Sequence, residues 1–535
     1  MVAPSVAPGP SAAVSSAPRR RNPGGALSRV VVAAAGGVMV YLSFPPRTAW
    51  WLAPVGFAVL GVLLHGRRAR AGFGLGLVWG LGFMVPLLRW TGEFVGLVAW
   101  LPLALMCAAL IAVGTAVMAL VSRLPGAPVW MALVWVADEA LRSVFPFGGF
   151  PWGKIAFGQP EGWYLPLASV GGAPLVGFAV ALTGFGAAWA VRGRWRAAVW
   201  VVLPLAAGPL VASVVPVGPS GGTAVVAAVQ GNVPRAGLDF NSQRRAVLDN
   251  HVARTLQLAE DVRAGRVRKP DLVIWPENAS DIDPFRNADA AAQIQRAVAA
   301  VDAPIAVGAV LVDRADNLPR NTVVLFEPGR GATDTYTKRQ LQPFGETMPY
   351  REFFRLFTSA VDRAGNFQPG HDPEGFTMAG VKVAIDTCYE VAFDGVVRDS
   401  VRAGADLIAI PTNNATFGWT EMTYQQLAMS RVRAVEHGRS VVVAATSGVS
   451  AIVAPDGSVT QRTGMFTPDA LVAEVSLGRE ATLATRLGAW PEWVMTALGL
   501  SAAAFSLAVT RRRSRPTPGA GVGEEETDGG PAGAA

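Results

Sequence analysis

The chain has 535 residues, of which 51% are hydrophobic and 16% charged, and its mean hydropathy of +0.34 excludes an ordinary soluble protein. The net charge of +7 does not point to nucleic acid, because the basic residues form short runs beside apolar segments: Arg19–Arg21, Arg67/Arg68/Arg70, Arg192/Arg194/Arg196 and Arg511–Arg513 with Arg515. Such runs mark the cytoplasmic ends of membrane-spanning helices.

In chain order, residues 1–26 read as a disordered basic tail rich in Pro, Ala and Ser. Apolar runs follow at 27–45, 49–64, 72–90, 95–122, 128–147, 164–190 and 197–216, giving a membrane domain of seven spans over 27–216. An eighth span at 489–510 precedes a disordered tail over 511–535 that carries Glu524–Glu526. The first run has the basic start of a secretory signal, but its apolar stretch passes Ala33–Ala35 and reaches Leu42, so an uncleaved span is expected. If the N-terminus is cytoplasmic, the loops after the second, fourth and sixth spans and the C-terminal tail should be basic. They hold Arg67/Arg68/Arg70, Arg123, Arg192/Arg194/Arg196 and Arg511–Arg513, while the opposite loops offer only Arg47, Arg89 and Lys154. The alternation places both termini in the cytoplasm and residues 217–488 on the outer face of the cell membrane. Near the outer end of the fifth run, Asp138, Glu139 and Arg142 share one helical turn, where charges pair with one another inside a bundle. Phe145, Phe147, Phe150 and Trp152 in the following FPFGGFPWGK read either as an interfacial aromatic belt or as the lining of a lipid entrance.

From Thr223 the pattern changes. Strand-like runs occur at 223–229, 271–275, 304–311, 321–327, 381–386, 406–410, 440–445 and 470–475, with helical patterns at 241–264, 287–301, 391–402 and 421–437. Interleaving of this kind gives a layered α/β domain, in which reactive groups gather at strand ends. Two such ends carry chemistry: Glu277 just after DLVIW, and Cys388 just after VAID. Of the two cysteines, Cys107 lies within an apolar run as a small hydrophobe, so the polar module has one thiol and no internal disulfide. Four histidines without a pair at ligand spacing suggest no metal, and no phosphate or dinucleotide glycine motif suggests a cofactor.

Glu277, Lys338 and Cys388 together are the parts of an acyl-transfer site. The carboxylate can take the thiol proton, the thiolate can attack a carbonyl, and the ammonium can hold the resulting oxyanion. At the expected strand-to-helix turn, a helix N-terminus would favour the thiolate of Cys388. Taken singly, each has a bland alternative: a solvated loop carboxylate, a surface lysine, a buried inert thiol. Glu346 in PFGE and Glu390 beside the thiol either support this machinery or form structural salt bridges. Two loops are apolar for their position: 347–372, with Phe353, Phe354, Leu356 and Phe357, and 412–424, with Phe417, Trp419 and Met422. They read as lids dipping toward the bilayer, or as packed loops.

The order Glu277, then Lys338 followed by Glu346 in a K-x(7)-E spacing, then Cys388–Tyr389–Glu390, resembles the nitrilase, or carbon–nitrogen hydrolase, superfamily. VQGNVPR (229–235), WPEN (275–278), DTCYE (386–390), PTNNATFGW (411–419) and GFPWGK (149–154) narrow the resemblance to its integral-membrane branch, the apolipoprotein N-acyltransferase family. The similarity covers about 27–510. It implies a nitrilase-like αββα sandwich, Glu277 as general base, Lys338 as oxyanion-stabilising cation and Cys388 as nucleophile, with Glu346, Tyr389 and Glu390 in support. It also implies a ping-pong reaction through a thioester, from a phospholipid donor to the N-terminal amine of a diacylglyceryl-cysteine apolipoprotein, by a monomer without cofactor. Two segments depart from the family pattern: Leu238–Asp239–Phe240 stands where a tryptophan is usual, and the asparagine-rich loop reads TNNATFGW. A membrane-tethered amidase would use the same three residues with water as acceptor, whereas eight spans and apolar loops favour a lipid substrate. A non-catalytic assembly protein would have no need of the three residues.

Overall fold

Long apolar stretches can satisfy their backbone polar groups away from water only by helix formation. In the computed structural model, which describes residues 23–215, 220–234, 243–313, 315–356 and 359–513, these stretches are α1 (Pro23–Leu42), α2 (Leu52–Leu64), α3 (Ala69–Leu87), α4 (Leu97–Val121), α5 (Ala127–Arg142), α6 (Ala168–Ala190) and α7 (Val199–Val214). Small residues set the spacing of the bundle: a Cβ on Gly76 of α3 would lie 1.6 Å from the Thr115 hydroxyl of α4. The chain breaks within α6 at Gly171–Gly172, where Gly172 has φ +71°. Tails 1–22 and 514–535, Leu238–Asp239–Phe240 and Phe357 lie outside the described residues.

The polar module continues with β1 (Thr223–Gln230), α8 (Arg244–Arg263), β2 (Leu272–Ile274), α9 (Ala288–Val301), β3 (Ile305–Val312), β4 (Pro319–Glu327), β5 (Gly331–Thr337), α10 (Arg351–Arg355), β6 (Phe376–Met378), β7 (Val381–Ile385), α11 (Asp394–Arg402), β8 (Leu407–Thr412), α12 (Met422–His437), β9 (Val441–Ala445), β10 (Ala451–Val453), β11 (Val459–Arg462), β12 (Asp469–Ser476) and α13 (Leu483–Leu487). It returns to the bundle through α14 (Trp490–Arg513). Among the described residues, α1, α3, α4, α6, α7 and α14 are long and apolar enough to cross a membrane. The second expected span is a helix of 13 residues, and the fifth is one of 16 that carries three charged residues.

The strands form two six-stranded sheets, ordered β12-β1-β2-β3-β4-β5 and β11-β10-β9-β8-β7-β6. Val226, Ile274 and Leu325 of the first meet Ile385, Ala409 and Val442 of the second in a core between the sheets. Leu248 and Val252 of α8 and Ile294 and Val298 of α9 cover the outer face of the first sheet. Met429 and Val432 of α12 cover the second, and there the core runs on without a break into Trp135, Phe157 and Val176 of the bundle. The result is the expected αββα sandwich, with one helical layer merged into the bundle.

Four strands were not expected from the sequence: β5, β6, β10 and β11. β5 reads GATDTYT, a polar edge strand without an apolar run, and the others have three or four residues. The helix expected from 391 starts at Asp394, because Cys388–Ala392 forms a separate 3-10 turn.

Buried polar contacts weld sandwich and bundle together. Lys154 in the loop after α5 pairs with Asp394 at the start of α11 and, at 3.5 Å, with Glu492 of α14. Arg433 of α12, fully buried, pairs with Asp394 at 2.6 Å and with Glu436. Trp152 donates its indole N–H to Gln425 at 2.7 Å. Trp152 is therefore a buried inter-domain contact rather than an exposed aromatic-belt residue, whereas Phe145 is exposed. The charges expected to pair in α5 do so: Arg142 reaches Asp138 at 3.1 Å and Glu139 at 3.8 Å, and Glu139 accepts the Ile155 backbone N–H at 2.8 Å.

Candidate active site

Glu277 leaves β2 through Trp275–Pro276. β3 passes so close that a Cβ on Gly308 would lie 2.2 Å from the Pro276 carbonyl and 2.7 Å from the Glu277 Cα, so only glycine fits there. The carboxylate is buried. Its Oε1 accepts from Lys338 Nζ at 2.9 Å and Asn321 Nδ2 at 2.7 Å, and its Oε2 accepts from the Asn413 backbone N–H at 2.9 Å.

Lys338 is the first residue past β5, and its backbone N–H bonds the Asn321 carbonyl of β4 at 2.9 Å. Its ammonium sits between two carboxylates, 2.9 Å from Glu277 and 2.9 Å from Glu346. Burial works against its charge, but the Glu277 and Glu346 carboxylates outweigh burial and hold it well above the usual lysine range. Glu346 also accepts from Asn321 Nδ2 at 2.6 Å and from the Gln342 backbone at 2.7 Å.

Cys388 follows β7 with φ +51°, a left-handed conformation that is costly for a residue with a Cβ. Glu390 fixes this turn. It accepts the Thr387 backbone N–H at 2.6 Å, and also the backbone N–H groups of Arg339 at 2.7 Å and Gln340 at 3.0 Å, so one carboxylate ties the thiol turn to the lysine segment. Tyr389 points the other way and donates to the Gly149 carbonyl in the loop after α5 at 3.1 Å. Gln426 of α12 donates to the Cys388 sulfur at 3.5 Å. Burial and the neighbouring Glu277 carboxylate push the thiol up to about 12, opposed by Lys338 and a hydrogen bond with Thr412. The helix N-terminus expected at the thiol is absent, since Cys388–Ala392 is a five-residue 3-10 turn, and burial favours the neutral thiol.

Glu277, Lys338, Glu346, Cys388 and Glu390 therefore share one buried locus, with Tyr389 joining it to the bundle. Four members escaped the sequence reading as individual residues: Asn321, Thr412, Asn413 and Gln426. Thr412 and Asn413 lie in the quoted PTNNATFGW stretch. Asn321 lies in the polar Arg320–Asn321–Thr322 start of a strand that then turns apolar, and Gln426 is one of two adjacent glutamines on a buried helix.

The apolar loops split. Phe354 packs on Phe344, with ring centroids 5.2 Å apart, and on Phe147 at 6.2 Å, while Phe353 and Leu356 are exposed. Phe417 stands edge-on to Trp90 at 5.0 Å; Trp419 is exposed beside Phe466. Among the described residues, no group of His, Cys, Asp and Glu could hold a metal ion.

The Apolipoprotein N-acyltransferase N-terminal domain family matches residues 36–186, and the Carbon-nitrogen hydrolase family matches 225–485. An apolipoprotein N-acyltransferase of Mycolicibacterium smegmatis is 47% identical, over 90% of this chain and 87% of its own. One from Azotobacter vinelandii is 30% identical over 92% of this chain and 97% of its own. Among solved structures, an amidase from Nesterenkonia sp. AN1 overlaps 50% of this chain and 95% of its own at 18% identity and a TM-score of 0.35.

Proposed function

The chain belongs to the apolipoprotein N-acyltransferase family, and we propose that Cys388, Glu277 and Lys338 perform its reaction by carrying a phospholipid acyl chain as a thioester. The enzyme is a multi-pass membrane protein that N-acylates lipoproteins. In the first half-reaction Glu277 takes the Cys388 proton as sulfur attacks the ester carbonyl carbon. The carbonyl oxygen becomes an oxyanion held by the Lys338 ammonium. The ester C–O bond then breaks, Glu277 returns the proton to the departing lysophospholipid, and the acyl group remains on sulfur. In the second, the free amine of a diacylglyceryl-cysteine N-terminus attacks the thioester. Glu277 accepts the amine proton, the C–S bond breaks, and the thiol takes that proton back.

The observation that carries this reading is the Lys338 ammonium lodged 2.9 Å from Glu277 in a buried site whose field also acts on the Cys388 sulfur. A thiol raised by burial favours proton transfer concerted with attack over a free resting thiolate. Such a site reacts when a substrate carbonyl is in place and stays protected from water otherwise. Glu346 supports Lys338, Glu390 fixes the nucleophile's turn, and Tyr389 anchors that turn to the membrane domain. The arginine alternation supports a sandwich on the outer face with both termini in the cytoplasm. Phe353, Phe354, Phe417 and Trp419 support a role for the two loops as lids over a lipid chain.

The test is transfer itself. The full-length enzyme in phospholipid bilayers, given a diacylglyceryl-cysteine peptide, is expected to add one fatty acyl mass at the peptide's N-terminal amine. Release of free fatty acid without peptide acylation would contradict the proposal, and turnover of a small amide in its place would favour an amidase.

A further inference from the structure

In the buried site two carboxylates, Glu277 and Glu346, pair directly with one ammonium, Lys338, while the buried Glu390 acts on Lys338 and Asp281 on Glu277 from nearby. Like charges this close tend to share a proton, and a protonated Glu277 cannot serve as base. A neutral donor shared by both carboxylates would help Lys338 hold them in place as acceptors. The side-chain amide of Asn321 is placed to do so: its nitrogen lies 2.7 Å from Glu277 Oε1 and 2.6 Å from Glu346 Oε1. An amide NH2 has two hydrogens, and here one is available for each carboxylate. The remaining oxygens are capped by backbone N–H groups, Asn413 on Glu277 at 2.9 Å and Gln342 on Glu346 at 2.7 Å.

We infer that Asn321 is a positioning residue that keeps the base ready. By donating to both carboxylates it favours their ionised forms without adding a second cation, which would compete with Lys338 for the oxyanion. The same residue receives the Lys338 backbone N–H, so one strand position sets the ammonium and both carboxylates relative to each other. This inference rests on the acyl-transfer reading of the site.

The experiment follows acyl-enzyme formation by intact mass against pH, for the full-length wild type, Asn321→Leu and Asn321→Ser in phospholipid nanodiscs. Leucine is close in size and removes both donors; serine is smaller and keeps one hydroxyl donor, which covers the case in which the leucine variant does not fold. The expected result at acid to neutral pH is an acylation rate about ten- to a hundredfold below wild type, recovering as pH rises, with the acid limb displaced toward higher pH. Unchanged rates, or a loss equal at every pH, would overturn the role assigned to Asn321. Failure of the wild type to form an acyl-enzyme would instead overturn the reading of the site.

Discussion

The two halves of the sandwich are built alike but held differently. The first sheet carries α8 and α9 on its outer face, in a core of its own. The second carries α11 and α12, whose apolar contacts are continuous with those of the membrane helices. The site is divided along that line: Glu277, Asn321 and Lys338 come from the first half, and Cys388, Asn413 and Gln426 from the second or from the helix behind it. The thiol thus stands on the half welded to the bundle, and Glu277, Asn321 and Lys338 meet it from the other half. Neighbouring residues on α12 show the coupling, since Gln425 takes the Trp152 indole N–H while Gln426 reaches the sulfur.

After loss of the thiol itself, the largest effects should come from the first half. Glu277→Gln is expected to slow acyl-enzyme formation by about 10²–10⁴-fold, and Lys338→Met by about 10²–10³-fold, each read by single-turnover mass measurements. Retention of the wild-type rate by either would remove that residue from the mechanism. The resting thiol offers a pH test. Because burial pushes it up to about 12, iodoacetamide should label Cys388 slowly near neutrality, with a rate that climbs about tenfold per pH unit as thiolate forms. A rate already level at neutral pH would mean that the thiolate is preformed.

The junction supplies the next effect. Arg433→Leu leaves Glu436 without its buried partner and Asp394 with Lys154 alone, and the expected loss is about 3–5 kcal/mol of stability, read from thermal unfolding in detergent. A variant as stable as wild type would deny that this network welds the second half to the bundle. Smaller still, Phe354→Asp should slow acylation from bilayer phospholipid several-fold with unchanged unfolding, whereas full activity would remove the lid role. At the far side, Arg245→Ala on α8 touches only exposed pairs with Asp249 and Asp289 and should leave both readouts unchanged. A drop there would mean that the two halves are not held as differently as their cores suggest.

The sequence made one half of this division more legible than the other. Strands that are nearly all Val, Ile and Ala, such as β1, β3, β8 and β9, declare themselves because both of their faces are buried. β5 does not, since an edge strand reading GATDTYT has no apolar face to show, and so Lys338 looked like a loop residue although it leaves the end of a strand. Glu277, Lys338 and Cys388 were readable through their order and spacing. Asn321 was not, because its role depends on two carboxylates that lie 44 residues before it and 25 after it and meet only in the fold. The inter-domain contact of Trp152 was hidden for the same reason, because its partner Gln425 lies 273 residues away.

The central claim is that Cys388 carries the acyl chain between donor and acceptor. It is tested most directly by intact mass of the full-length protein after incubation with phospholipid alone. The account predicts a gain of one fatty acyl group, mapped to Cys388, removed by neutral hydroxylamine and absent from Cys388→Ala. An acyl adduct that persists in Cys388→Ala, or acylated peptide produced by that variant, would contradict it.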